Sequence, residues 1–335
     1  MIISRAPTRI TLGGGGTDLK SYYSKRGGFL IAAGINKYYN IVANKRFYKG
    51  LRLSYSKTEI KDTAAEVEHR IFRAALLQLG INDGIELHSI SDVPGNSGLG
   101  GSSSFTVALM NALHAYRREF ISQKDLAEEA CHIEIDVLGE PIGKQDQYMA
   151  AFGGLTCLTF EKNGDVLVEP LQIPRISVHD LENNLILFFT GKDRSASDIL
   201  AEQDKKSKED DSAMIKNLDQ IKEIGLATRK CLESGQLDML GELFHNHWET
   251  KKKRSKQISD PFIDECYEVA RKNGALGGKL VGAGGGGFFL FYSSGKDKRK
   301  LFDAMEKMGL KWEPFSFDFS GARIIFNSIG EHNGK

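Results

Sequence analysis

From residue 94 to 104 the chain reads Pro94-Gly95-Asn96-Ser97-Gly98-Leu99-Gly100-Gly101-Ser102-Ser103-Ser104, and a helix-length apolar run, Phe105 to Tyr116, follows at once. Glycines let successive backbone N–H groups converge, and a helix start adds the positive end of its dipole, so the arrangement suits a phosphate. The loop is not the lysine-bearing kind. Gly95 and Gly100 have that spacing, but Gly101 stands where the lysine would be. A nucleotide held here must be neutralised by Mg²⁺ and by charges elsewhere, with a helix-start serine as one metal ligand. The bland alternative is a flexible turn, which seldom joins a proline and four glycines to a serine run and a helix start.

Two carboxylates have the right surroundings to work with such a loop. Ser122, with Asp125 three residues on, resembles a capping box and predicts a helix to about Leu138. At ~100° per residue, Leu126, Ala127, Ala130, Cys131, Ile133, Val137 and Leu138 share one arc, with Glu134 near its middle. Glu128, Glu129, His132 and Asp136 face away. A carboxylate on an apolar face is costly unless a cation or donors hold it; a metal ion and a buried salt bridge are the two readings. Asp146 lies in Gly143-Lys144-Gln145-Asp146-Gln147, just before the helix-like YMAAFGG. Capping that helix is its simplest use. One carboxylate to hold Mg²⁺ and one to take or orient a hydroxyl proton is, however, what phosphoryl transfer to a hydroxyl needs.

Two more glycine loops flank these residues. Gly13 to Gly16 leads into Thr17-Asp18, suited to capping a helix or to holding substrate hydroxyls. Gly282-Ala283-Gly284-Gly285-Gly286-Gly287 satisfies GxGxxG, but FFLFY after it is a strand pattern where a dinucleotide fold needs a helix. That context excludes a dinucleotide oxidoreductase. A strand, a glycine loop and a strand let backbone approach a ligand closely, the alternative being a hairpin with a glycine-rich turn. In Gly191-Lys192-Asp193-Arg194-Ser195-Ala196-Ser197, Arg194 and two hydroxyls before a helix are able to hold a sugar phosphate, although an exposed arginine beside a serine cap is commoner. The basic cluster Lys251 to Arg254 and the mixed run Lys205 to Asp211 read as solvated helix surface.

The elements that must position these groups follow from length and pattern. At 335 residues the chain exceeds the ~100 to 200 of one domain, so two domains sharing a cleft are expected, with a boundary near 183: residues 1-183 and 184-335. Strands are expected at Ile2 to Arg5, Phe29 to Ile35, Tyr38 to Phe47 and Ile85 to Ile90, and a helix at Ala65 to Leu79 stopped by Gly80. A β-prone block at Leu155 to Leu171 and a buried strand at Leu185 to Phe189 follow. Helices dominate from about 196 to 254. The rest alternates: helix Phe262 to Lys272, strand Leu276 to Val281, strand Phe288 to Phe291, helix near Asp297 to Met308, and strands around Phe315 and Arg323. That order predicts an α+β class.

Composition bounds the partners. Lys plus Arg is 45 and Asp plus Glu 44, a net charge of +1, so no global field favours nucleic acid or an anionic membrane. No apolar run approaches the ~20 residues that span a bilayer, and MIISRAP does not read as a signal peptide, so a cytoplasmic protein is expected. Cys131, Cys157, Cys231 and Cys266 form no CxxC pair and read as buried thiols.

Together these residues resemble the GHMP kinase superfamily, named for galactokinase, homoserine, mevalonate and phosphomevalonate kinases. Ala6-Pro7-Thr8-Arg9-Ile10-Thr11-Leu12-Gly13-Gly14-Gly15-Gly16-Thr17-Asp18 is similar to its first motif, which carries substrate-contacting groups in sugar kinases. Pro94 to Ser104 is similar to the second, the ATP phosphate loop, and Lys279 to Gly287 to the third, which lines the active site and supports that loop. The resemblance implies two domains, an N-terminal α/β domain and a ferredoxin-like C-terminal domain, with ATP and Mg²⁺ in the cleft. It implies Ser102 and Glu134 as Mg²⁺ ligands, Asp146 as the catalytic base, and Arg9 as a stabiliser of transferred charge. ATP would rest on Pro94, Gly95, Ser97, Gly98, Leu99, Gly100, Gly101, Ser102 and Ser103. The substrate would meet Gly15, Gly16, Thr17, Asp18, Asp146, Arg194, Gly284, Gly285 and Gly286. Gly15-Gly16 replaces the acidic and histidine pair of galactokinases, a departure that points away from galactose.

Within the superfamily, RAPTRITLGGGGTD and GKQDQY are most similar to D-glycero-D-manno-heptose 7-phosphate kinases, relatives of fucokinases that phosphorylate the anomeric hydroxyl. The implied product is the 1,7-bisphosphate, for nucleotide-activated heptose synthesis, and the implied partner a small-molecule sugar phosphate. The alternatives are another sugar 1-kinase, such as one acting on fucose, and a non-catalytic sugar sensor, against which the intact Glu134 and Asp146 argue.

Overall fold

The first motif lies on one long strand, β1 (Ile2–Gly13), whose second half is buried on both faces. Apolar and β-branched residues recur along it, and Pro7 shifts the pairing register without ending the strand, so it continues well past the Ile2 to Arg5 expected from the sequence. The computed structural model describes residues 1–192, 197–295 and 298–328. After β1 come α1 (Lys20–Arg26), β2 (Gly28–Lys45), β3 (Leu51–Ser54), β4 (Thr58–Lys61), α2 (Arg70–Gln78), β5 (Ile85–Ser91), α3 (Gly101–Tyr116) and α4 (Gln123–Cys131). Next are α5 (Gln145–Phe152), β6 (Leu155–Phe160), β7 (Val166–Pro170), α6 (Arg175–Asn184), β8 (Leu185–Phe189), α7 (Ser197–Lys208) and α8 (Ser212–Glu233). The chain then forms α9 (Met239–Lys252), α10 (Pro261–Lys272), β9 (Gly277–Leu280), β10 (Phe288–Tyr292), α11 (Arg299–Lys307), β11 (Lys311–Trp312) and β12 (Arg323–Asn327).

Two sheets organise these elements in the expected α+β class. The larger has eight strands, in the order β12-β1-β2-β5-β3-β4, with β6 paired to β2 and β7 to β6. The smaller has the order β11-β8-β10-β9 and is antiparallel throughout. The backbone leaves α6 at Asn184 and enters the smaller sheet with β8; near the end of the chain, β12 returns to pair antiparallel with β1. Helix α3 packs on β1 and β2 beneath the larger sheet, so its N-terminus emerges beside the first motif.

Four local expectations need correction. The segments expected at 29–35 and 38–47 merge into a single strand, β2, which ends at Lys45 and whose pairing with β1 shifts register at Pro7/Thr8, proline being unable to donate to a ladder. The helix expected from Ala65 begins as an isolated 3₁₀ turn, Ala64–Glu66, and α2 starts only at Arg70. There the His69 ring accepts the Phe72 N–H, and Glu59 accepts the N–H groups of Glu68 and His69. The helix from Ser122 changes to π winding over His132–Val137, which turns less per residue and leaves Val137 53% exposed, off the expected apolar arc. Phe315 lies outside any strand; the local pairing is a single bridge between Ile35 and Phe317.

Candidate active site

The phosphate-suited loop is fixed by the strand beside it. The Arg9 N–H donates to the Leu99 carbonyl at 3.0 Å, and Ser104 Oγ to the Pro7 carbonyl at 2.8 Å. Gly100, in a left-handed conformation, caps α3, whose first turn carries Gly101, Ser102 and Ser103. The third glycine loop braces the second backbone to backbone. Gly98 has φ +83°, and a Cβ there would stand 2.7 Å from the Val281 carbonyl; one on Gly282 would stand 2.6 Å from the Gly98 carbonyl. Only glycines allow this approach.

The two carboxylates both meet that loop or the helix start behind it. Arg9 holds Asp146 at both oxygens, Nε to Oδ1 and Nη2 to Oδ2 at 2.8 Å each, and its third arm donates to the Gly98 carbonyl at 2.5 Å. Asp146 lies in the first turn of α5 and its side chain is 23% exposed toward the cleft. Glu134 is 1% exposed, accepting from Ser102 Oγ at 2.7 Å and from Gln147 Nε2 at 2.7 Å. Burial pushes its carboxyl up to about 7 against the pull of those hydrogen bonds. Asp18 is also buried; it accepts the N–H groups of Gly16 and Gln145, and burial, then the charge of Asp146, raise its pKa.

A set of buried bases completes the cleft, and the sequence reading missed it. Lys251 and Arg254, expected on solvated surface, are 5% and 8% exposed. The physical reason is the helix they end: Leu240, Phe244, His247, Trp248 and Lys251 follow one another at helical spacing on the buried face of α9. That spacing was readable, but the density of charge at Lys251 to Arg254 masked it. Lys251 Nζ donates to the carbonyls of Leu280 (3.0 Å) and Gly282 (2.5 Å), bracing the third glycine loop. Lys279 Nζ donates to the Leu12 carbonyl at 3.0 Å and meets His247 Nδ1 at 3.1 Å. Burial, then neighbouring cations, push Lys251 and Lys279 well down.

Arg9, Gly15, Gly16, Asp18, Ser97, Gly98, Gly100, Gly101, Ser102, Ser103, Glu134, Asp146, Gly284 and Gly286 line one cleft with these bases. Other expected site residues stand elsewhere. Pro94 and Gly95 are exposed at the outer end of the loop, and Leu99 is buried in the core. Thr17 is fully buried and its hydroxyl donates to the carbonyls of Gly14 and Phe29, locking the turn rather than facing a ligand. Gly285 donates its N–H to the Ile258 carbonyl, outside the cleft wall. Arg194 and Ser195 lie outside the described residues, as does the side chain of Ser197. The assembled parts suit phosphoryl transfer: a glycine loop at a helix start, a buried carboxylate bonded to a serine hydroxyl, and a second carboxylate clamped by arginine.

Comparison with known proteins agrees with this geometry. Residues 62–154 match the model of the GHMP kinases N terminal domain, and residues 228–311 that of the GHMP kinases C terminal. The chain is 32% identical to the D-glycero-alpha-D-manno-heptose 7-phosphate kinase of Campylobacter jejuni, over 96% of this chain and 98% of that one. It is 27% identical to the bifunctional fucokinase/GDP-fucose pyrophosphorylase of Arabidopsis thaliana, over 69% of this chain and 23% of that much longer one. Among solved structures, a D-glycero-D-manno-heptose 1-phosphate kinase from Bacteroides thetaiotaomicron superposes with a TM-score of 0.81 at 25% identity, covering 98% of this chain and 99% of that one.

Proposed function

This chain belongs to the GHMP kinases, and on that premise we propose that it transfers the γ-phosphoryl group of ATP to the anomeric hydroxyl of D-glycero-D-manno-heptose 7-phosphate, giving the 1,7-bisphosphate and ADP. It is a sugar kinase, a phosphotransferase with an alcohol acceptor, and ATP is the donor its family implies. The observation that carries the finer reading is the likeness to a heptose 7-phosphate kinase along almost the whole of both chains. Likeness to a fucokinase covers less of this chain, at lower identity.

In this reading the loop Ser97 to Ser103 and the start of α3 receive the ATP phosphates on backbone N–H groups. Asp146 accepts the proton of the anomeric hydroxyl as the sugar oxygen bonds to the γ-phosphorus and the bridging bond to ADP breaks. Each Asp146 oxygen spends one lone pair on Arg9 and keeps another for that hydroxyl. Arg9, charged and fixed to Gly98, faces the charge that spreads over the transferred group. Gly15, Gly16 and Asp18 face the acceptor, with Gly284 and Gly286 opposite.

The residues present fit Mg²⁺. Glu134 is a buried carboxylate with no cation paired to it among the described residues, and a serine hydroxyl touches it; two hard oxygens beside phosphates suit an ion that keeps most of its own waters. Ser102 and Glu134 would hold it, and it would offset charge on the phosphates. Among the described residues no group of three His, Cys, Asp or Glu offers a rival site. We assign the reaction to the cytoplasm, where ATP and Mg²⁺ are abundant; four buried, free cysteines suit a reducing compartment, and no helix among the described residues is long and apolar enough to cross a membrane.

The test is ADP release with Mg-ATP against a panel of free and phosphorylated sugars, with phosphorus NMR of the product. A new anomeric phosphate beside the original monoester is expected. Preference for fucose or another unphosphorylated sugar would overturn the heptose assignment.

A further inference from the structure

We propose that Arg254 is the receptor for an anionic group already present on the acceptor, and that this group is a phosphate monoester. The inference rests on the reading above, in which the acceptor is a sugar phosphate.

Arg254 follows the end of α9 and is 8% exposed. Its Nε donates to Asn217 Oδ1 at 3.1 Å and Nη1 to Gln203 Oε1 at 2.7 Å, so two side chains fix the plane of the fork. Nη2 has no hydrogen-bond partner among the described residues, and no carboxylate there forms an ion pair with the guanidinium. A buried cation without an anion is costly, and burial draws this guanidinium down to about 10. Asp18 is the acid whose charge it feels, but the two form no ion pair, and each Asp18 oxygen already accepts one N–H group, from Gly16 and from Gln145. The cation is built in, and among the described residues no carboxylate is paired with it.

The neighbouring first-motif loop closes directly on this guanidinium. A Cβ on Gly16 would stand 2.6 Å from Arg254 Nη1 and 3.2 Å from Gln203 Nε2, and Gln203 Nε2 in turn donates to the Gly16 carbonyl at 2.8 Å. Arg254 therefore belongs to the first-motif side of the cleft, where the acceptor lies. Lys251, one turn earlier, serves the donor side through Gly282, which abuts Gly98. One helix end thus supplies a separate basic side chain to each half of the cleft. A planar fork with a free N–H matches a phosphate better than a neutral hydroxyl, and a monoester dianion offsets the uncompensated charge most fully.

The test compares wild type with Arg254→Gln on heptose 7-phosphate and on the same heptose without phosphate. The KM for the phosphorylated sugar should rise about 10- to 100-fold, the range for losing a charged hydrogen bond, and rise far less for the free sugar. Arg254→Lys, which keeps the charge and loses the fork, should recover part of the difference. An equal penalty on both sugars overturns the inference. If wild type does not use the phosphorylated heptose, the proposed substrate falls, and the anion site is judged alone. Inorganic phosphate is then titrated by calorimetry into protein whose donor loop is filled with Mg-AMPPNP. Binding lost in Arg254→Gln while AMPPNP binding and the melting profile persist upholds the site; no difference from wild type overturns it.

Discussion

Arg9 grips both oxygens of Asp146 although the two residues lie 137 positions apart, one on β1 and the other in the first turn of α5. Because the third arm of Arg9 ends on the Gly98 carbonyl, strand, helix and phosphate loop are tied at one guanidinium. The group proposed to take the proton and the loop proposed to hold the donor are therefore held in one fixed relation, with Gly100 close against the Asp146 side chain.

Asp146→Asn preserves the shape of this clamp and one of its acceptors while removing the proton acceptor. Turnover should fall by roughly 10² to 10⁴, the range for general base catalysis, with the KM for ATP little changed. Steady-state kinetics at saturating Mg-ATP give the answer, and undiminished turnover would take Asp146 out of the mechanism.

Glu134→Gln separates metal binding from folding. With its carboxyl raised to about 7 by burial, Glu134 in the metal-free protein contributes stability while protonated and loses it as pH rises from about 4.5 through about 7. A neutral amide escapes that cost, and Gln147 can turn its unpartnered Oε1 to receive the new N–H group. Metal-free Glu134→Gln at about pH 8 should thus melt no lower than wild type, yet lose any Mg²⁺-dependent rise in Tm and need more Mg²⁺ for activity. An unchanged Mg²⁺ response would make the residue structural.

Gly98→Ala attacks the contact between the two glycine loops. The left-handed backbone alone costs about 1–2 kcal/mol for a residue with a Cβ, and the methyl would press on the Val281 carbonyl. A lower Tm and a raised KM for ATP are expected together. A variant with wild-type values for both would show that the loops tolerate separation.

His114 offers a pH test far from the chemistry. It is buried and bonded through Nε2 to Glu129 at 2.9 Å and through Nδ1 to Glu119 at 3.1 Å, contacts that raise its pKa, the Glu129 bond foremost. The stability it supplies is complete below its ordinary pKa of 6.5 and is lost as pH rises through the raised value. The Tm gap between wild type and His114→Gln should therefore be wider at about pH 6 than at about pH 9. A constant gap would mean that the imidazole acts by packing alone.

Much of this was legible because local chemistry leaves a local signature. The glycines before α3 and the apolar arc around Glu134 each encode their placement within a dozen residues, and Glu134 stays buried even though π winding turns Val137 outward. What escaped depends on distant partners. Thr17 has the composition of a ligand group, yet two backbone carbonyls claim its hydroxyl, one of them across the turn on β2. Arg254 has the composition of surface, yet Asn217 on α8 and Gln203 on α7 enclose it. No window of sequence shows what will fold over a charged run.

The return of β12 to β1 bears on how this enzyme is made. β1 carries Arg9 and forms ladders on both sides, with β2 early in the chain and with β12 at residues 323–327. During synthesis the β2 side can pair soon after it emerges, but the other side stays an open template until residues 323–327 have emerged. Until then the strand bearing Arg9 is an exposed edge, the kind that invites mispairing with other chains. A nascent chain stalled after β11 would lack this closure even with every residue of the cleft already synthesised.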